Sequence, residues 1–189
     1  MRHDNFIPNV KIKSRGRKPH WQVDDAVYFI TYRLRDALPR DIARTLRFER
    51  ERMLRSASTD ADRAQLDHAF GIRLDWHLDQ GYGSCILREH GELIANALKH
   101  FDRSRYELHA WCVMPNHVHV MLHIQRGRDV PDILHSWKSY TAHEMHRGIV
   151  WQREYFDRVV RSPAEFNDTR QYIHANPYKA GLRNWKWVG

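Results

Sequence analysis

One stretch constrains this chain more than any other: Trp111-Cys112-Val113-Met114-Pro115-Asn116-His117-Val118-His119-Val120-Met121-Leu122-His123. Two apolar runs are joined by a Pro-Asn pair. Pro115 sets φ and Asn116 tolerates turn geometry, so the sequence specifies a tight reversal between two strands. After the turn, His117-Val118-His119-Val120 alternates polar and apolar with period two, the pattern of a strand. In a strand, residues i and i+2 share a face. His117 and His119 therefore project side by side, opposite the face that gives Val118 and Val120 to the core. Two imidazoles on one rigid strand can share a divalent cation. The chain holds 14 histidines, so such a pair can also arise from composition, and its surroundings decide.

Those surroundings are read most easily in chain order. Residues 11 to 18, Lys-Ile-Lys-Ser-Arg-Gly-Arg-Lys, place Lys11, Lys13, Arg15, Arg17 and Lys18 in a basic arm within the N-terminal 1–20. The arm has no periodicity and reads as mobile until a ligand orders it. Arms of this kind lie along phosphates or in a groove. The net charge of +8 and a pI near 9.7 favour an acidic partner, with nucleic acid the first candidate.

Ala26 to Leu34, AVYFITYRL, is aromatic and β-branched and reads as the first strand. Phe29, Thr31 and Arg33 share one face; Tyr28, Ile30 and Tyr32 share the other. One face can stay open to stack bases, or both can be covered. Residues 40 to 80 read as a helical insertion. A first helix carries Ile42, Leu46, Met53 and Leu54, Ser56 to Thr59 break it, and Asp60 to Asp79 form a second helix with Leu66, Phe70, Leu74 and Leu78. Its charged face either touches nucleic acid or is solvated.

A helix over 91–101, strands over 105–114 and 117–124, and a helix over 130–147 follow. Trp151 to Val160 reads as the fourth strand. Ser162-Pro163-Ala164-Glu165 is a helix start, with Ser as N-cap and Pro in the first position. That helix should stop at Asn176-Pro177, because proline disfavours the helical conformation in the residue before it. The remaining tail is basic and carries Trp185 and Trp187. Without the 40–80 insertion, the order strand, helix, strand, strand, helix, strand, helix predicts an α+β fold. It is a ferredoxin-like antiparallel sheet with helices on one face, and the C-terminal helix carries a tyrosine.

At 189 residues and 42% hydrophobic content, a single domain over 1–189 with a real core is expected. No run approaches the roughly 18 to 20 apolar residues of a membrane span. The N-terminus lacks a signal-peptide core. Cys85 and Cys112 form neither a disulfide framework nor a zinc site, and Cys112 reads as a buried thiol. A cytoplasmic, nucleoid-associated location and no membrane partner are expected.

The final helix completes the candidate site. Tyr172 and Asn176 lie i, i+4 on one helix face. A cation on His117, His119 and Asn176 would keep positions open for phosphate oxygens. Magnesium and manganese suit oxygen ligands, and manganese tolerates imidazole better. Such a cation acts as a Lewis acid on a phosphodiester, and the Tyr172 phenol can attack phosphorus. Tyr140 and Tyr155 are rival nucleophiles. Lys138 and Arg158 are candidates for stabilising phosphate charge.

Taken together, Met114-Pro115-Asn116-His117-Val118-His119, Lys138-Ser139-Tyr140-Thr141-Ala142, Tyr155-Phe156-Asp157-Arg158 and the run from Tyr172 to Leu182 resemble the REP-associated tyrosine transposases. These are relatives of the single-tyrosine insertion-sequence transposases of the HUH class. The resemblance implies a ferredoxin-like catalytic domain that cleaves and rejoins single-stranded DNA at REP-type hairpins. It implies magnesium or manganese, Tyr172 as nucleophile through a 5′-phosphotyrosine, and His117 and His119 as the histidine pair. Asn176 falls where insertion-sequence relatives carry a glutamine ligand. The partner is hairpin or single-stranded DNA, and the chain works as a monomer or a homodimer. The alternative is a catalytically silent DNA-hairpin-binding regulator that keeps the fold.

Overall fold

A computed structural model describes the backbone of residues 10–14, 19–23 and 25–189, and side chains from Asp25 onwards. Val10–Ser14 (β1) and Pro19–Val23 (β2) pair antiparallel, with Val10 opposite Val23 and Ser14 opposite Pro19. Part of the expected structureless arm is thus strand. The side chains of Lys11, Lys13, Arg15, Arg17 and Lys18 lie outside the described residues.

The main body follows in chain order. Strand β3 is Val27–Arg33, α1 is Arg40–Ser56, α2 is Asp60–Leu78 and α3 is Leu87–His100. Then come β4 (Tyr106–Val113), β5 (His117–Ile124), α4 (Val130–Glu144), β6 (Phe156–Val160) and α5 (Pro163–Lys179). The sheet has four strands in the order β4-β5-β3-β6, and every neighbouring pair is antiparallel. This is the split βαβ arrangement expected from the element order, an α+β fold with the 40–80 segment inserted as two helices.

The two faces of the sheet are covered differently. Tyr32 stacks on Trp137 of α4, with ring centroids 6.2 Å apart. The Trp137 indole donates to the Tyr106 hydroxyl (3.0 Å), which donates to the carbonyl of Leu98 in α3 (2.6 Å). The ferredoxin pair, α3 and α4, therefore covers the face of Tyr28, Ile30, Tyr32, Val118 and Val120, as expected. The opposite face, with Phe29, Thr31, His117 and His119, is also covered: Tyr172 of α5 packs edge-on against Phe29 and His119. Helices thus lie on both faces, not one. No aromatic strand face is left open, since Tyr28, Phe29, Ile30, Thr31 and Tyr32 are all buried.

Insertion α1–α2 closes the side next to β6. The hydroxyl of Thr59 caps α2 by accepting from the Asp62 amide (3.0 Å), and the Asp62 carboxylate accepts back from the Thr59 amide (2.9 Å). Arg50 bridges Asp67 and lies over the rings of Phe70 and Phe156. Gly71 lets α2 approach that strand, for a Cβ there would sit 3.1 Å from the Phe156 ring.

Three boundaries depart from expectation. The fourth strand begins at Phe156, not Trp151. Residues 150–152 instead close against the end of β3, the Gln152 amide donating to the Arg33 carbonyl (3.0 Å), and Lys138 holds the Gln152 and Arg153 carbonyls. Helix α3 starts earlier, at Leu87, whose amide donates to the Pro115 carbonyl (3.1 Å). Helix α5 runs through Pro177 to Lys179. A proline in the last turn removes one donor while the turn still closes, with the Ala180 amide donating to the Asn176 carbonyl at 3.0 Å.

Beyond α5 the tail returns along the outer edge of β4. Amides of Trp111 and Val113 donate to the carbonyls of Gly189 (2.7 Å) and Trp187 (3.0 Å), and the Trp185 indole donates to the Val113 carbonyl (2.7 Å). Gly91 makes room for this tail, since a Cβ there would lie 2.3 Å from the Trp187 ring nitrogen. Gly91→Ala should lower stability by about 1–3 kcal/mol through overpacking. It should also speed amide exchange at Trp111 and Val113. Chemical denaturation and hydrogen exchange check both.

Candidate active site

The His-x-His strand sits at the centre of the sheet, and its polar face is sealed. His117 and His119 are both 0% exposed. Their Nε2 atoms face each other at 3.0 Å. Each ring is set by its other nitrogen. The Asn116 side-chain amide donates to the carbonyls of Leu78 and Tyr82, 3.1 Å each. Its oxygen is left to accept from His117 Nδ1 at 2.7 Å. His117 therefore carries its proton on Nδ1 and presents a lone pair at Nε2. His119 Nδ1 meets the Thr31 hydroxyl at 2.9 Å. A hydroxyl donates or accepts by rotating, so Thr31 permits either tautomer of His119. With Thr31 donating, His119 Nε2–H bridges to His117. With Thr31 accepting, both Nε2 lone pairs are free for a shared ligand.

Helix α5 brings Tyr172 over this pair, its ring centroid 5.7 Å from that of His119. The Tyr172 hydroxyl donates to Asp75 Oδ2 at 2.7 Å and accepts from the Asn176 amide at 3.1 Å. The i, i+4 relation of Tyr172 and Asn176 thus places them together as expected. Arg158 on β6 lies over the Phe29 ring, bonds Thr169 at 2.9 Å and pairs with Glu165. It borders the site. Lys179 lies over the Tyr172 ring, its Nζ 5.3 Å from the centroid.

Lys138 is not part of this group. It sits on α4, on the opposite sheet face, over the rings of Tyr32 and Tyr155, and burial lowers its pKa to about 8. The rival tyrosines stand away too. Tyr140 is on α4 and 51% exposed, and Tyr155 neighbours Lys138.

Two carboxylates from the insertion were not anticipated. Asp75 holds the Tyr172 hydroxyl. Asp79 Oδ1 stands 3.9 Å from His117 Nε2. A sign was present in the sequence: Asp75 adjoins Leu74 and lies within the apolar face of α2, where an unpaired acid seldom sits. Asp75 Oδ1, Asp79 Oδ1 and Asn176 Oδ1 are buried without a hydrogen-bond partner. As the side chains stand, no three His, Cys, Asp or Glu residues among those described close round one point.

Burial governs the electrostatics. It pushes His117 well below the usual imidazole range and His119 down to about 3, so both are neutral at neutral pH. It lifts Asp75 to about 8 and Asp79 to about 6. Tyr172 is raised, first by burial and then by the adjacent Asp75. Arg158 is lowered by burial. Burial thus keeps both histidines neutral at neutral pH and holds a proton on Asp75, while Asp79, raised less, is mostly ionised there.

Comparison with known proteins accords with this arrangement. Residues 85–176 match the family model described as transposase IS200 like. The match takes in the turn, both histidines, Tyr172 and Asn176. The REP-associated tyrosine transposase of Escherichia coli K12 is 26% identical over 102 residues, covering 52% of this chain and 61% of the relative. A solved structure of a REP-associated tyrosine transposase bound to a REP hairpin superimposes with a TM-score of 0.57 at 19% identity. That superposition covers 90% of this chain and 76% of the other. The chain therefore shares the fold of that solved structure. No helix among the described residues is long and apolar enough to cross a membrane.

The raised Asp75 carries a pH signature. The folded state holds its proton up to about pH 8, whereas the ordinary value is 3.8. Folding then takes up a proton between these values, and wild-type stability falls as pH rises through that window. In EDTA, Asp75→Asn should gain stability relative to wild type from pH 4 towards pH 8 and above. The difference should vanish below pH 4. Denaturant unfolding across pH measures it.

Proposed function

We propose that this chain is a metal-dependent single-stranded DNA endonuclease and strand transferase acting at hairpins of the REP type. The observation that supports this best is the gathering of the Tyr172 hydroxyl and two facing imidazole nitrogens in one buried cluster. Two ligands at about 2.1 Å from one ion and at right angles stand about 3.0 Å apart. The His117–His119 nitrogen separation of 3.0 Å fits that spacing. Neutral imidazoles and the unpartnered Asn176 oxygen fit a cation of the magnesium or manganese kind. His117, His119 and Asn176 would hold it. Bound there, the cation supplies Lewis-acid polarisation of the scissile phosphate.

The chain's own groups account for the rest. Tyr172 Oη bonds to phosphorus and the P–O3′ bond breaks, leaving a 5′-phosphotyrosine and a protonated 3′-hydroxyl. When Asp75 is ionised, its carboxylate takes the phenol proton along the 2.7 Å hydrogen bond, and the leaving 3′ oxygen takes a proton from solvent. Lys179 over the Tyr172 ring and Arg158 over the neighbouring Phe29 ring oppose the phosphate's charge. Attack by a second 3′-hydroxyl on the phosphotyrosine reverses the step and joins strands. The net charge of +8 suits the phosphate backbone.

Tyr172→Phe should abolish the covalent protein–DNA adduct seen on a denaturing gel with a 3′-labelled hairpin substrate. Tyr140→Phe and Tyr155→Phe should still form it. Loss of the adduct in Tyr140→Phe with its persistence in Tyr172→Phe would move the nucleophile to α4. Hairpin binding with no adduct in the wild type would favour the silent regulator.

His117→Ala and His119→Ala should each reduce cleavage at least about 100-fold while hairpin affinity changes little, because binding rests on phosphate contacts. Single-turnover cleavage and electrophoretic mobility measure the two quantities on one substrate. Full cleavage by the double variant with manganese present removes the histidines from the reaction.

A further inference from the structure

We propose that Asp79, supplied by the helical insertion, is a protein ligand of the cation held by the histidine pair. The proposal rests on the metal reading above and adds a residue to it. Asp79 directly follows α2, one turn beyond Asp75, so both carboxylates of this helix end belong to the site. Asp75 meets Tyr172, and Asp79 Oδ1 stands 3.9 Å from His117 Nε2. A shared ion would draw that gap in by about 1 Å, to the separation of neighbouring ligands.

Three features support it. First, Asp79 Oδ1 is buried and has no hydrogen-bond donor, as are Asp75 Oδ1 and Asn176 Oδ1 in the same cluster. Asp75 is 5% exposed and Asn176 1% exposed. A buried oxygen without a donor is costly, and Asp79 Oδ1 is such an oxygen, 3.9 Å from His117 Nε2. Second, the spacing between Asp79 and His117 is built in. The Asn116 side chain donates to the carbonyl of Leu78, next to Asp79, and accepts from His117. Third, Asp79 and His117 line one cleft with Arg88, Pro115 and Ala180. Two histidines and Asn176 bring no charge to a divalent ion, and an aspartate brings the hard anionic oxygen that magnesium and manganese prefer.

The test titrates EDTA-stripped full-length protein with Mn2+, read by calorimetry and by the EPR signal of free Mn2+, with no DNA present. His117→Ala should abolish high-affinity binding. Asp79→Asn and Asp79→Ser, each verified as folded by circular dichroism, should weaken it at least about 10-fold, and Asp79→Glu should recover part of the loss. Wild-type affinity in either folded variant, with His117→Ala null, overturns the role of Asp79 and leaves the histidine pair standing. Binding that survives in His117→Ala overturns the metal reading itself, and the Asp79 proposal with it.

Discussion

The site depends on one side chain that does no chemistry. Asn116 ties three separate parts of the chain to the strand that bears the histidines. Its amide group donates to Leu78 and Tyr82 at the end of the insertion. Its oxygen orients His117. Its backbone carbonyl accepts from the Leu34 amide at 2.9 Å, at the end of β3. Every one of these bonds is buried or nearly so, where an unmade hydrogen bond is expensive. The turn, the helix end and the imidazole therefore move as one body. The Pro-Asn pair is a turn signal in the sequence, and in the structure it is also the fastening that gives His117 its tautomer.

The histidine pair is held by a second, softer device. Thr31 faces His119 across the β3–β5 pairing, in register. Its rotating hydroxyl lets one imidazole change which nitrogen carries the proton without moving a heavy atom. A fixed partner on His117 and an adjustable one on His119 allow the same coordinates to serve a hydrogen-bonded pair and a pair of metal ligands.

Much of the fold was legible because it is written in local patterns. Aromatic and β-branched content marked β3, period-two alternation marked β5, proline and asparagine marked the turn, and the apolar residues of 40–78 marked two helices with a break at Ser56 to Thr59. The i, i+4 spacing put Tyr172 and Asn176 on one face. What could not be read was decided by tertiary burial. Whether the face of Phe29 and His119 stayed open depended on where α5 and α2 would lie, and no local pattern encodes that. Lys138 follows the site's motifs in sequence, but its helix covers the far side of the sheet. Asp79, just past the end of α2, looks like a solvated charge until packing turns it inward. Pro177 reads as a stop, yet it falls in a last turn that needs only one fewer donor.

The tail has a consequence for how this molecule meets copies of itself. Strand β4 is an outer strand of the sheet, and its unpaired backbone groups would ordinarily invite a strand from another chain. Residues 187–189 already occupy them, through the amides and carbonyls of Trp111 and Val113. Joining two sheets edge to edge at β4 would first require peeling the tail away, together with Trp185 and Trp187. The other edge strand of the sheet is β6, which carries Arg158 and against which the α1–α2 insertion packs. While the tail stays in place, an assembly built by adding strands has no free backbone to start from along that part of β4.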